Sequence, residues 1–353
     1  MKLGIIGLPQ AGKTTIFNAL TRGHAPITAS AGRLEIHTAV VDVPDERVDR
    51  LSALFKPRKT IYAKVTYADI GGLEGGSLSK GGISGPLLNQ LAQMDGFLHV
   101  VRCFEDENVP HPAGSVNPER DVESMLGELL LNDLVMVERK LERLVEERRK
   151  GGTDKALNER QTALFTRLHQ ALEAGTPLRA LELSPEEQRE LSSFGLLTRK
   201  PILTVFNLGE GQAPPELKLD HPSLGLQGKL EMELAQLPPE DAALFMAEYG
   251  IQELGLARVI RLSYEVLQLQ SFFTVGEDEV RAWTVRRGAT AMEAAGVIHT
   301  DLQRGFVRAE VVAYEDLIAL GSLAEARAKG KLRLEGKDYL VKDGDIIHIR
   351  FNI

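Results

Sequence analysis

A single cysteine in 353 residues leaves no internal disulfide and no multi-cysteine metal site to hold this chain together. Cys103, beside Val100 and Val101, reads as a strand residue. Long apolar runs are equally scarce. No window approaches the eighteen or so uninterrupted apolar residues that a membrane span needs, and the first apolar stretch, Leu3 to Ile6, runs straight into a glycine loop. No membrane partner is expected, and nothing directs the chain out of the cytoplasm. Positive charge is not in excess either: 42 Lys and Arg face 50 Asp and Glu, a formal net charge of -8. That balance disfavours wholesale electrostatic binding to nucleic acid, so any RNA contact has to be local.

What is present is an ordinary globular composition, 43% hydrophobic and 26% charged, in a chain long enough for two or three domains. From residue 1 to about 117, short β-rich runs alternate with turn and helix signals, as in α/β domains. Leu3 to Gly7, Thr38 to Val43, Tyr62 to Ile70 and Phe97 to Cys103 are predicted strands, and Lys13 to Thr21 has helical character. Near Pro118 the pattern becomes helical, with Leu130, Leu134, Val137, Leu141 and Leu144 spaced by four and three. Gly151-Gly152 marks a turn and Leu157, Leu164, Leu168 and Leu172 a returning helix, the pattern of a coiled coil or helical hairpin. Ser184-Pro185-Glu186-Glu187 supplies a capping box. The β pattern resumes at Pro201 to Phe206, so the helical segment is an insertion. After about Ser271 come short strands with little helix between them, a small mixed β module.

The chemistry concentrates in Gly7-Leu8-Pro9-Gln10-Ala11-Gly12-Lys13-Thr14, which fits G-x-x-x-x-G-K-[ST]. Its glycines let backbone amides curl around a phosphate, Lys13 neutralises β and γ oxygens, and the Thr14 hydroxyl ligates magnesium. Asp69-Ile70-Gly71-Gly72 closes the third predicted strand, where a carboxylate can hold a magnesium-bound water and a Gly72 amide can sense the γ-phosphate. Leu73 stands where many GTPases place the glutamine that orients the attacking water, so hydrolysis needs another device or is slow. Gly71 to Gly85 is the expected switch. Asn207-Leu208-Gly209-Glu210 follows the fifth predicted strand, Pro201 to Phe206, in the place of N-K-x-D. A longer glutamate and a missing lysine weaken guanine reading and leave adenine open. His111, in a Pro-flanked loop, is a further catalytic candidate.

Together with Val100 to Asp106, Lys200-Pro201, Phe272-Phe273-Thr274, Arg281-Ala282-Trp283-Thr284, Ala294 to Thr300, Arg304-Gly305-Phe306 and Glu335 to Tyr339, these motifs make nearly the whole chain resemble the YchF subfamily of Obg-related P-loop NTPases. The resemblance implies a Ras-like α/β domain (1–117 and 199–270), a helical coiled-coil insertion (118–198) and a C-terminal ubiquitin-like, β-grasp TGS domain (271–353). It implies magnesium-dependent hydrolysis, ATP often preferred over GTP, and association with ribosomes. Gln10, Ala11, Gly12, Lys13, Thr14 and Thr15 then cradle phosphate, Asn207, Leu208 and Glu210 face the base, and Thr14, Asp69 and Thr28 serve magnesium. Two stretches depart from the family pattern. Pro26-Ile27-Thr28-Ala29-Ser30 stands where the family's first switch reads like P-F-C-T-I, and Gln227-Gly228-Lys229 replaces its S-A-K loop.

Three functions follow as alternatives: a triphosphate hydrolase, a nucleotide-dependent binding switch with negligible turnover, and a small-molecule kinase, the last disfavoured by the order of the motifs. A monomer is expected. The C-terminal segment from Ser271 carries twelve basic and thirteen acidic residues, so an RNA role there rests on resemblance and on local groups such as Trp283, Arg281, Arg286, Arg287, Arg304 and Arg308. A chain ending near Leu269 is expected to keep nucleotide binding.

Overall fold

The computed structural model describes residues 1–23, 36–70, 83, 85–151, 154–248, 251 and 253–352. Residues 71–82 and 84 of the predicted switch, with Gly72 and Leu73, and the candidate magnesium ligand Thr28 lie outside the described residues. The chain divides into two compact units, Met1–Ala39 with Thr66–Leu256, and Val40–Val65 with Ala257–Ile353.

In chain order the elements are β1 (Lys2–Ile6), α1 (Lys13–Thr21), β2 (Ile36–Asp42), α2 (Glu46–Phe55), β3 (Lys59–Ile61), β4 (Lys64–Ile70), α3 (Gly85–Ala92), β5 (Gly96–Arg102), α4 (Pro118–Lys150), α5 (Lys155–Glu173), α6 (Pro185–Glu190), β6 (Ile202–Asn207), β7 (Ser223–Leu226), α7 (Gly228–Gln236), α8 (Pro239–Glu248) and α9 (Gly255–Val266). They continue with β8 (Leu269–Val275), β9 (Glu279–Arg286), α10 (Ala291–Ile298), α11 (Thr300–Arg304), β10 (Phe306–Ala313), α12 (Tyr314–Leu320), α13 (Leu323–Ala328), β11 (Arg333–Glu335) and β12 (Asp345–Phe351).

The first sheet runs β2-β4-β1-β5-β6-β7. β1 pairs parallel to both β4 and β5, and β6 parallel to β5 and β7. β5 and β6 are buried along their whole length, which is why both are mostly apolar on both faces rather than alternating. Parallel order puts the C-terminal ends of β1, β4, β5 and β6 at one edge, where Gly7, Asp69, Cys103 and Asn207 leave the sheet, and ligands bind at such an edge.

α4 and α5 form the predicted helical hairpin. Asn117 caps α4 by accepting from Arg120 N at 3.1 Å, Pro118 occupies the first turn, and Gly151 ends the helix at φ 70°. Thirty-three residues give a rod of about 50 Å. The seam buries Val137 and Leu144 against Leu164, Phe165, Leu168 and Leu172. Asp133, fully buried in α4, accepts from Leu197 N at 2.8 Å, Thr198 N at 2.7 Å and Thr198 Oγ1 at 2.6 Å, which ties the returning chain to the helix. The Ser184–Glu187 capping box is present in both directions.

The second unit holds the sheet β11-β10-β12-β8-β9-β3. β8 and β9 form an antiparallel hairpin, β12 lies parallel beside β8, and α10 packs Ala291, Ala294 and Ala295 on Phe272, Val285, Val311 and Ile347. This is the expected β-grasp arrangement. It corrects the expectation of little helix: α10 to α13 lie between its strands, α10 opened by a Thr290–Glu293 capping box. β3, from the early part of the chain, pairs parallel with β9 from Lys59↔Glu279 to Ile61↔Arg281. Arg47 of α2 bonds Asp343 at 2.8 Å and lies 5.1 Å from the Phe273 ring centre.

Candidate functional site

β1 delivers the chain into Gly7, where an added Cβ would sit 2.3 Å from the Val100 carbonyl oxygen. Gly12 has φ 91°, and an added Cβ there would meet Asn207 Nδ2 at 2.2 Å. Both glycines are therefore required by space as well as by backbone conformation. Gln10 also lies in the left-handed region, at φ 60°. Gly12 cannot cap α1 with a side chain and no acidic residue stands in the first turn. The first amides of α1, at Lys13, Thr14 and Thr15, thus meet no carboxylate of their own helix, as an anion site requires.

Lys13 turns back into this loop, its Nζ donating to the carbonyl oxygens of Gly7 at 3.0 Å and Leu8 at 2.9 Å. Burial pushes its ammonium down to about 8, against the pull of nearby Asp69. Asp69 is delivered by β4, in register with Ile5 of β1. Its Oδ2 accepts from Thr14 Oγ1 at 2.7 Å, while its buried Oδ1 has no partner among the described residues. The Thr14 hydroxyl and the Asp69 carboxylate, whose Oδ1 is unsatisfied, supply hard oxygens that fit a magnesium ion.

Across the loop, Asn207 is almost fully buried and holds two backbones at once. Its Nδ2 donates to Ala11 O at 3.0 Å and its Oδ1 accepts from Gly228 N at 3.1 Å. An added Cβ on Gly228 would come within 2.7 Å of Asn207 Oδ1 and 2.6 Å of Ile16 Cδ1. The glycine in Gln227-Gly228-Lys229 thus keeps this approach open. Leu208 is half-buried, its amide bonded to Leu226 O at 2.8 Å, whereas Glu210 is exposed. Phe104 carries no motif that marks it in the sequence as a site residue. It stands beside both loops, its Cε1 3.9 Å from where a Gly12 Cβ would lie and its Cβ 3.5 Å from the corresponding Gly209 position.

His111 lines a small cavity with Leu8, Pro9 and Ala11 of the glycine loop and with Arg102 and Asp121. Its Nδ1 accepts from Ala113 N at 3.1 Å, so Nε2 carries the proton and donates to Asp121 Oδ2 at 2.9 Å, both side chains 4% exposed. Asp121 lies in the first turn of α4 and is held in turn by Arg120. Lys13, Thr14, Asp69, Asn207 and His111 are therefore gathered around one loop from β1, β4, β6 and the segment after β5. Of the C-terminal candidates, Trp283 is half-buried against the core of its unit, with Nε1 donating to Thr274 Oγ1 at 2.9 Å and Arg281 stacked 4.0 Å from its ring centre.

A left-handed glycine loop between a parallel strand and a helix, with lysine inside it and a threonine–aspartate pair below, is fitted to a polyphosphate. The class it defines is that of the P-loop nucleotide hydrolases. A family model described as "50S ribosome-binding GTPase" matches residues 2–140, and one named for the YchF GTPase C-terminal region, described as "Protein of unknown function (DUF933)", matches 269–352. The "Ribosome-binding ATPase YchF" of Bacillus subtilis (strain 168) is 40% identical over 99% of both chains, and that of Escherichia coli O157:H7 is 40% identical over 100% of this chain and 99% of its own. The solved YchF GTPase of Schizosaccharomyces pombe superposes with a TM-score of 0.83 at 31% identity, covering 99% of this chain and 97% of that one. The chain belongs to the YchF family.

Proposed function

We propose that this chain is a magnesium-dependent ATPase, with weaker activity on GTP, that associates with ribosomes in the cytoplasm as a monomer and has a regulatory role in translation or in a stress response. The observation that carries the hydrolase reading is the pairing of Thr14 Oγ1 with Asp69 Oδ2 beside buried Lys13, with Asp69 Oδ1 left unsatisfied. Gln10 to Thr15 take the phosphates on backbone amides, and Lys13 neutralises charge that grows on the β and γ oxygens. Thr14 and Asp69 hold magnesium, directly or through water, with Thr28 a further candidate ligand. The ion would supply positive charge against the phosphate oxygens. Gly72 senses the γ-phosphate. The base lies against Phe104 between Asn207, Leu208 and Glu210. Adenine has no N1–H to offer the Glu210 carboxylate, and the aspartate of N-K-x-D is absent, which favours ATP.

His111 is the side chain near the loop best suited to orient or relay protons for the attacking water, since Leu73 cannot do so. The amide of Ala113 fixes the tautomer that carries the Nε2 proton, and that proton has to leave Asp121 for His111 to reach the water. Association with ribosomes is supported by the relatives' printed names, with the helical hairpin and the C-terminal unit as the candidate contact modules. A second reading, a binding switch with negligible turnover, is favoured by Leu73 and by the commitment of His111 to Asp121. Phosphate release measured with saturating ribosomes, with His111→Ala beside the wild type, separates the two. Turnover that stays negligible under those conditions leaves the switch.

A further inference from the structure

Arg102 ends β5 opposite Asn207 of β6 and is 2% exposed. Among the described residues it makes no ion pair with a carboxylate. Instead, Nε donates to Phe104 O at 3.0 Å, Nη2 donates to Val109 O at 2.7 Å, and the guanidinium lies 4.5 Å from the Phe104 ring centre. Nη1 has no partner among the described residues and the side chain lines the same cavity as His111. A buried cation without a counter-ion is a poor way to stabilise a core, because an apolar side chain of similar volume packs there without the desolvation cost. What only a guanidinium can do is span two carbonyls from one rigid plane while covering an aromatic face.

The two carbonyls belong to different halves of the site. Phe104 is the wall between Gly12 and Gly209, on the base side. Val109 lies two residues before His111, in a loop fixed at its start by Val109 N bonding Asp106 O at 3.1 Å and at its end by Gly114 N bonding His111 O at 2.9 Å. The backbone beside Arg102 is itself tied to the base loop, Cys103 N donating to Asn207 O at 2.9 Å.

We infer that Arg102 is a positioning residue that links the base wall at Phe104 to the His111 loop, so that an adenine seated on Phe104 sets the place of His111 for hydrolysis. The inference rests on the reading of Phe104 and His111 given above. A displacement of the ring moves the guanidinium, and the guanidinium moves the Val109 carbonyl, without any contact between base and histidine. Triphosphate lacking a base leaves that linkage unused.

The test is a mutant cycle in the full-length chain. Arg102→Met, His111→Ala and the double variant are compared in steady-state ATP hydrolysis, and calorimetry follows binding of ATP and of inorganic tripolyphosphate. Arg102→Met is expected to lower kcat at least tenfold with KM changed less than threefold, to leave tripolyphosphate affinity within twofold, and to add no loss to His111→Ala. A kcat within twofold of wild type overturns the inference. So does a double variant whose loss is the product of the single losses, or a parallel collapse of tripolyphosphate affinity, which marks a merely structural arginine. Arg102→Lys keeps the buried charge but reaches only one carbonyl, and is expected to fold and still lose at least threefold in kcat. Phe104→Ala probes the underlying reading separately: it should weaken ATP at least tenfold and tripolyphosphate not at all, and unchanged ATP affinity removes the base wall and the linkage with it.

Discussion

The phosphate side and the base side of this site are built differently. On the phosphate side the central side chains are committed, Lys13 to two carbonyls and Thr14 to Asp69, and at Gly7 and Gly12 a Cβ has no room. On the base side only Asn207 is committed in this way, while Glu210 is exposed and Leu208 half-buried. On the proposed reading, recognition of the triphosphate is a property of packed backbone, and choice of base a property of a few replaceable side chains. Affinity and specificity should separate on mutation.

The largest break is expected at Lys13. Lys13→Ala removes the charge proposed to face the β and γ oxygens, so triphosphate affinity should fall about a hundredfold, near 2.8 kcal/mol, while loss of its bonds to Gly7 O and Leu8 O lowers the thermal midpoint without unfolding the chain. Calorimetry and a melting curve decide it, and unchanged affinity in a folded variant removes the P-loop assignment. Asn207→Ala comes next. It releases both Ala11 O and Gly228 N, so ATP and GTP should each weaken about tenfold and in parallel, about 1.4 kcal/mol, with a lowered midpoint. A change in the ATP to GTP ratio would instead place Asn207 chiefly on the base side.

The pH dependence isolates the phosphate side. In the free protein Lys13 loses its proton as pH rises through about 8, whereas bound phosphates favour the protonated ammonium. Binding above that pH therefore takes up a proton, and affinity should fall by up to about tenfold per pH unit, equally for ATP and GTP. Titration in two buffers of different ionisation enthalpy reads the uptake directly. Affinity constant from pH 7 to 10 would mean that the ammonium is not held as described.

The same contrast explains what was legible in the sequence. Gly7, Gly12, Lys13 and Thr14 sit within one octapeptide whose spacing states its geometry, and Asp69 ends a strand with a recognisable apolar pattern. Phe104 and Arg102 are proposed to act by stacking and by bridging carbonyls, which leaves no spacing to read. Buried Asp133 and Glu231 escape a reading of the sequence for a related reason. Each carboxylate satisfies amides far along the chain, Leu197 and Thr198 for the first, Gly255 and Leu256 for the second. β3 is three residues long and is defined by its pairing with β9, so no local pattern announces it. A chain cut at Leu269 would leave β3 without β9 and Arg47 without Asp343 and Phe273, so such a truncation removes more than a terminal module. The helices of the C-terminal unit did carry a signal, Thr290-x-x-Glu293 before an alanine run, but the surrounding strand residues outweighed it.

The smallest expected effect sharpens the base side. Glu210→Asp shortens the exposed carboxylate to the length that N-K-x-D uses for guanine, while Lys remains absent at position 208 and the Asn207 clasp is untouched. ATP affinity should change less than twofold, GTP affinity should rise about threefold, near 0.7 kcal/mol, and tripolyphosphate should bind as before. Paired calorimetric titrations at one salt concentration resolve a difference of that size. If GTP gains nothing, Glu210 does not face the base, and the preference for adenine has to come from Phe104 and the Gln227-Gly228-Lys229 loop. If ATP and tripolyphosphate weaken together, the base loop and the phosphate cradle are coupled through Asn207, and the separation argued from burial does not hold.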